Sequence, residues 1–255
     1  MHATLLLHSL IHLHSPVILC LHSVGSGRDA MPSTTFRALL DGLSERRYQF
    51  LTMDDVTRAR VLRRRTILLT FDDGRRDNFE VALPILREYG IAATFYVCSG
   101  LIGKRLALPS HPDRDDASSG EFTFNLMDSV ELRELRDSGM CIGSHTASHP
   151  DLTKCTDSQL VDEIAGSRRL LEEHLDTPVR HISYPWGRFD RRVLRGVRSA
   201  GYVTAAAVSV NPSVPVRPWD PFRLSRITAH PAAAHAELLR SISFPNLLRR
   251  MASQI

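Results

Sequence analysis

The sequence has no Cys-x-x-Cys pair, no sustained apolar run free of polar residues, and few aromatics, at 7% of its 255 residues. Its cysteines, Cys20, Cys98, Cys141 and Cys155, are scattered, and three lie in or beside apolar strand-like runs. That distribution argues against a disulfide framework in a chain of this length and predicts reduced thiols in a reducing compartment. The opening MHATLLLHSLIHLHSPVILCLHS carries no Lys or Arg near its start and is interrupted by His8, His12 and His14. It fits neither a signal peptide nor a membrane span, so a cytoplasmic location without membrane insertion is expected. The basic run from Arg58 to Arg65 lacks the interleaved aromatics of a nucleic-acid stripe. It reads as a solvated face or a loop ahead of a strand, and no nucleic-acid partner is expected. Internal repeats and low-complexity tracts are also missing.

What is present is ordinary globular composition, 43% hydrophobic and 24% charged, with a net charge of +4 and a pI near 9.1. This length is enough for one large core, so one domain is expected over residues 17–255, preceded by an extension over 1–16. Apolar β-rich runs alternate with amphipathic helical patterns. Val17 to Leu21, Thr66 to Phe71, Ala93 to Val97, Cys141 to Ser144, His181 to Ser183 and Val203 to Val208 read as strands. Ser33 reads as the N-cap of a helix burying Phe36, Leu39, Leu40 and Leu43. Further helices are predicted over Asn78 to Tyr89, stopped by Gly90, over Asp128 to Ser138, stopped by Gly139, and from Asp157 to about His174.

Repeated βα units imply a mostly parallel sheet, open or closed. Polar residues fall at the C-terminal ends of at least four strands: His22, Asp72 and Asp73, His145 and His149, Tyr184 and Trp186. A barrel gathers those ends at one mouth, whereas an open sheet spreads them. An irregular (β/α) barrel with fewer than the standard number of strands is therefore expected. The segment from Leu106 to Thr123, with Pro109, Pro112, Gly120 and four acidic residues, reads as a surface loop. It is either a tolerated insertion or a rim that touches substrate.

Two motifs carry chemistry. ILLTFDDGRRDN sets Asp72 and Asp73 side by side after an apolar strand, where successive side chains point apart and can take different jobs. An Asp-Asp-Gly alone is commonly a plain turn. Ser144-His145-Thr146-Ala147-Ser148-His149-Pro150 changes that balance, because histidines at i and i+4 share a face if the segment is a helical turn, a spacing that chelates zinc. Two imidazoles and one carboxylate form an open site for one divalent metal, with zinc expected and cobalt, nickel or manganese tolerated.

On these motifs the chain resembles the polysaccharide deacetylases of carbohydrate esterase family four, which share the NodB homology domain. Thr70-Phe71-Asp72-Asp73-Gly74 matches the first family motif and Ser144 to His149 the second; the likeness runs from about Val17 to His230. The resemblance implies a distorted (β/α)7 barrel that deacetylates an N-acetylated carbohydrate. Asp73, His145 and His149 would hold the metal, and Asp72 would be the general base. Ser183-Tyr184-Pro185-Trp186-Gly187 resembles the third motif, in which the Tyr184 N–H would help bind the oxyanion and Trp186 would line the sugar groove. The alternative is a Pro-Gly turn with Trp186 in the core. No arginine in this motif matches the one that orients the base in some members.

Pro218 to Ile227 resembles a Pro-Phe-x-Leu-x-Arg-Ile segment, with His230 just beyond as candidate general acid and Arg226 as an alternative positive group near the site. His22 resembles a histidine of the first strand, either facing the pocket or idle on the rim. A metal-assisted amidohydrolase acting on a small non-sugar amide and a catalytically silent glycan-binding barrel are the competing readings. The four motif residues Asp72, Asp73, His145 and His149 argue against the silent one.

Overall fold

The computed structural model describes residues 16–27, 30–59, 62–63, 65–108, 122–208, 220–229 and 235–242. Seven parallel strands close a ring. They are β1 (Val17–Leu21), β3 (Thr66–Phe71), β4 (Thr94–Val97), β7 (Cys141–Ser144), β8 (His181–Ser183), β9 (Thr204–Val208) and β10 (Leu224–Thr228). The order is β1-β10-β9-β8-β7-β4-β3, and β1 pairs with β3 over Val17↔Ile67 to Leu21↔Phe71 to close the barrel. A two-residue strand, β2 (Gln49–Phe50), pairs with the start of β3. β4 pairs higher on β3, at Thr70 and Phe71.

Strand sequences such as TILLTF are apolar at nearly every position because both faces are covered. Alternation still sorts them. Leu19, Leu21, Ile67, Leu69, Phe71, Phe95 and Ile182 join the large core shared with the helices. Ile18, Leu68, Tyr96, Cys141, Ala206 and Leu224 form a separate cluster with Met53 and Val56, which is the barrel interior. The Met53–Arg58 helix closes this interior from below, and its Thr52-Asp55 capping box fixes where it starts. By the same alternation Cys20, Thr70, Asp72 and Arg226 point into the upper interior.

The predicted strands are present, and the expected fold is the one observed. Several local expectations need correction. The Ser33–Glu45 helix buries Phe36, Leu39, Leu40 and Leu43, but Ser33 makes no capping bond, because the helix begins directly after Pro32. The long helix does begin at Asp157 as expected, capped by Thr156 through a capping box with Gln159. It runs to Leu175 with π-helical geometry over Val161–Gly166, and Asn78–Ala82 is π-helical as well.

Part of the expected surface loop is a hairpin. β5 (Arg105–Leu108) and β6 (Phe122–Asn125) pair antiparallel, with Leu106 and Leu126 packed on Cys98. Residues 109–121 lie outside the described residues. The alternation of Leu106 with Leu108 and of Phe122 with Phe124 carried a strand signal that the neighbouring prolines and acids masked. No helix among the described residues is long and apolar enough to cross a membrane.

Gly143 shows how tightly the interior is filled. A Cβ there would lie 2.6 Å from Tyr96 Cδ1 and 2.9 Å from the His181 carbonyl oxygen. Gly143→Ala is expected to destabilise the fold by about 1–3 kcal/mol through overpacking. Thermal unfolding checks this, and an unchanged midpoint would show that the interior can yield.

Candidate active site

The mouth is built where the chain turns sharply after the strands. β3 delivers Asp72 to the interior face, and the next two residues adopt left-handed conformations, Asp73 at φ 74° and Gly74 at φ 77°. This roll carries the Asp73 carboxylate back over the mouth. Glycine is required at the second position, since a Cβ would meet Val97 Cγ1 at 3.0 Å. Asp73 Oδ2 accepts from Arg75 Nε at 3.1 Å. Its Oδ1 is buried with no hydrogen-bond partner among the described residues.

That oxygen lies 3.6 Å from His145 Nε2 and 3.5 Å from His149 Nε2. His145 Nδ1 sits 2.9 Å from the Ser183 carbonyl, which can only accept, so the ring proton is on Nδ1 and the Nε2 lone pair faces Asp73. Three donor atoms thus converge without bonding one another. Ligands at about 2.0–2.1 Å from a tetrahedral zinc lie about 3.4 Å apart, so the donor set and its spacing fit a divalent cation. Burial pushes the His149 ring down to about 4, keeping it neutral near pH 7.

The histidines do not share a helix face, as their spacing had suggested. The loop carries left-handed residues at Thr146 (φ 68°) and His149 (φ 63°). Its bonds are local: Thr146 N–H to Ser144 Oγ and His149 N–H to Thr146 Oγ1, both 3.0 Å. Glu163 clamps it from outside. One carboxylate oxygen accepts the Ala147 and Ser148 N–H groups at 2.9 Å each, and the other accepts the Ser148 hydroxyl at 2.5 Å. Glu163 lies in the π-helical stretch Val161–Gly166, so an irregular turn is used to position a site loop. Nothing in the sequence marked this residue, which sits on a polar helical face.

Asp72 is gripped by Arg226 of β10. Nη1 reaches Oδ1 at 2.7 Å and Nη2 reaches Oδ2 at 2.6 Å, a bidentate pair in which Arg226 is 1% exposed. Thr70 and Ser183 hydroxyls lie 3.1 and 2.6 Å from the same guanidinium nitrogens. Burial alone would raise the Asp72 carboxyl, but the Arg226 charge outweighs it and holds it well below the usual carboxylate range. Asp73 is likewise lowered, against burial, to about 2, chiefly by the Arg75 charge. The orienting arginine missing from the third motif is thus supplied by the last barrel strand.

The other sequence candidates separate. His22 is at the mouth, with a ring nitrogen within 4.8 Å of donor atoms of Cys20 and Asp72. Trp186 stands over His149, ring centroids 5.0 Å apart, so it lines the site rather than the core. Tyr184 does not offer the proposed oxyanion donor. Its N–H continues the β8–β9 ladder to the Ala206 carbonyl at 2.9 Å, and its hydroxyl bonds the Phe222 carbonyl at 3.0 Å. His230 lies outside the described residues.

Comparison with known proteins agrees with this geometry. The profile of the family described as polysaccharide deacetylase matches residues 59–205. YxkH of Bacillus subtilis (strain 168) is 29% identical, with 84% of this chain and 71% of that protein aligned. A chitooligosaccharide deacetylase of Bradyrhizobium sp. (strain ANU 289) is 26% identical over 67% of this chain, and this chain spans 66% of its length. Among solved structures, Streptococcus pyogenes deacetylase PplD in complex with acetate superposes with a TM-score of 0.73 at 24% identity, covering 89% of this chain and 98% of PplD. IcaB from Ammonifex degensii gives 0.70 at 22% identity, covering 89% and 96%. These two show the shared fold.

The Glu163 clamp has a measurable consequence. Glu163→Ala should leave the half-exposed helix folded but weaken divalent-metal affinity about 10–100-fold, as loss of support behind a ligand typically does. Competition with a chromophoric chelator reads this directly. Unchanged affinity would mean that Thr146 and Ser144 hold the loop unaided.

Proposed function

The chain belongs to the polysaccharide deacetylase family, and on that premise we propose that it removes N-acetyl groups from an N-acetylated glycan with the help of one divalent metal, zinc in the first instance. The observation that carries the proposal is the convergence of Asp73 Oδ1, His145 Nε2 and His149 Nε2 beside a carboxylate locked by Arg226. A cation bound there supplies Lewis-acid polarisation of the amide carbonyl and acidifies water, the chemistry amide hydrolysis demands.

The chain's own residues do the rest. Asp72 accepts the proton of the attacking water. Its depressed pKa makes it a weak base, so its contribution rests on position and permanent charge rather than on basicity. Arg226 keeps that charge oriented. Two neutral imidazoles present lone pairs, one with its tautomer fixed by Ser183. Trp186 offers an aromatic face at the rim against which a sugar ring can pack. The proton for the departing amine is assigned to His230 on sequence grounds.

The substrate class is supported by the names of relatives. Besides the chitooligosaccharide deacetylase, they include Peptidoglycan-N-acetylmuramic acid deacetylase PdaA of Bacillus subtilis (strain 168) and Poly-beta-1,6-N-acetyl-D-glucosamine N-deacetylase of Staphylococcus aureus (strain MRSA252). All three names describe removal of acetyl groups from amino sugars. The test is acetate release from N-acetylglucosamine oligomers, poly-β-1,6-N-acetylglucosamine and peptidoglycan, with and without chelator. Acetate from at least one of these, abolished by chelation and restored by a divalent ion, is expected. Full activity in metal-free protein, or release only from small non-sugar amides, would contradict the reading.

A further inference from the structure

The opposite end of the barrel carries a second convergence of metal-ligating side chains that the proposed reaction does not use. Strand starts make a buried polar floor: Thr94 opens β4, Cys141 opens β7, His181 opens β8 and Thr204 opens β9. Register places Thr94 beside Cys141 and His181 beside Thr204. Asp54 enters from below, on the Met53–Arg58 helix that plugs the interior. Donor atoms of Asp54, Cys141 and His181 lie within 4.8 Å of one another.

Each donor is fixed in place by its neighbours. His181 is 1% exposed, and its Nδ1 sits 2.8 Å from the Thr204 hydroxyl, which can donate to it. Its Nε2 lies 3.2 Å from Asp54 Oδ1 and donates its proton there, which lowers the Asp54 carboxyl. A cation would take the place of that proton, and the spacing is close to the edge of about 3.3 Å expected for N and O ligands of zinc. Arg58 takes the far Asp54 oxygen at 3.4 Å, and Arg180 lies 3.8 Å from Oδ1 at the rim. The Thr94 hydroxyl accepts the Met53 N–H at 3.0 Å, and the Cys141 sulfur is hydrogen-bonded by Thr94 and by the Asp54 backbone. Burial outweighs those donors and pushes the Cys141 thiol up to about 12, so the sulfur keeps its proton until a cation displaces it.

We propose that Asp54, Cys141 and His181 form a second, structural site for a zinc-like divalent cation at the floor of the barrel. Sulfur, nitrogen and oxygen together suit zinc better than a hard cation. The ligands are 87 and 40 residues apart in sequence (141 − 54 and 181 − 141). An ion there cross-links the plug helix to two barrel strands and stabilises only the folded chain.

Cobalt substitution of the full-length protein tests this independently of any deacetylase activity. Thiolate ligation gives Co2+ a strong near-ultraviolet charge-transfer band, and the Asp73-His145-His149 set contains no sulfur. Wild-type protein is expected to bind two zinc equivalents and to show the band when cobalt-loaded. Cys141→Ser should lose the band and one equivalent while keeping metal-dependent acetate release. His145→Ala should lose the other equivalent and keep the band. If Cys141→Ser fails to fold, Asp54→Asn on the half-exposed helix should still weaken the floor equivalent at least tenfold. A wild-type cobalt spectrum without the band overturns the proposal, as does a band that survives Cys141→Ser or an Asp54→Asn affinity equal to wild type.

Discussion

The bidentate pair between Asp72 and Arg226 is the constraint around which the mouth is arranged. Both groups are almost wholly removed from water, so neither charge could persist alone. Arg226 arrives from β10 and Asp72 from the end of β3, on strands that are not neighbours, with β1 lying between them. The bond therefore spans the interior as well as orienting a carboxylate. Thr70 and Ser183 satisfy the same guanidinium nitrogens, and the guanidinium carbon lies 5.4 Å from the Tyr96 ring centroid. Removing either partner would leave an uncompensated buried charge, a change that typically costs about 3–5 kcal/mol.

Around that fixed point the chain stores strain. Six non-glycine residues among those described adopt positive φ, and four of them, Asp73, Thr146, His149 and Trp186, surround the mouth. Such conformations cost about 1–3 kcal/mol each and persist only where the surroundings over-determine them. Here the surroundings are identifiable: Arg75 on Asp73, the Glu163 clamp on the loop between the histidines, and the Trp186 ring against His149. Ligand atoms prearranged this way need little reorganisation when a cation binds, which is the physical content of a preformed site.

Much of this was legible in the sequence, because the informative features were local. An apolar run ending in Asp72-Asp73-Gly74 and a strand ending in His145 each carry their own position in a parallel barrel. The geometry of the histidine pair was not legible, since its spacing fits a helical turn as well as the irregular loop that the left-handed residues create. Nor was the role of Arg226 as partner of Asp72, since a pairing across 154 residues leaves no local pattern. Tyr184 misled for the opposite reason: its motif survives, while strand pairing with β9 takes the backbone donor. Glu163 and the β5–β6 hairpin were hidden by ordinary polar composition.

The central claim is that adjacent carboxylates do different work, Asp72 as oriented proton acceptor and Asp73 as metal ligand. Metal occupancy and acetate release, measured together for Asp72→Asn and Asp73→Asn, test it most directly. Asp72→Asn should keep the metal and lose most of the rate, because both histidines and Asp73 remain. Asp73→Asn should lose metal affinity, with partial recovery in excess metal, because an amide is a poor replacement for an anionic ligand. An empty site in Asp72→Asn beside a loaded one in Asp73→Asn would reverse the assignment, and two loaded, fully active variants would contradict it.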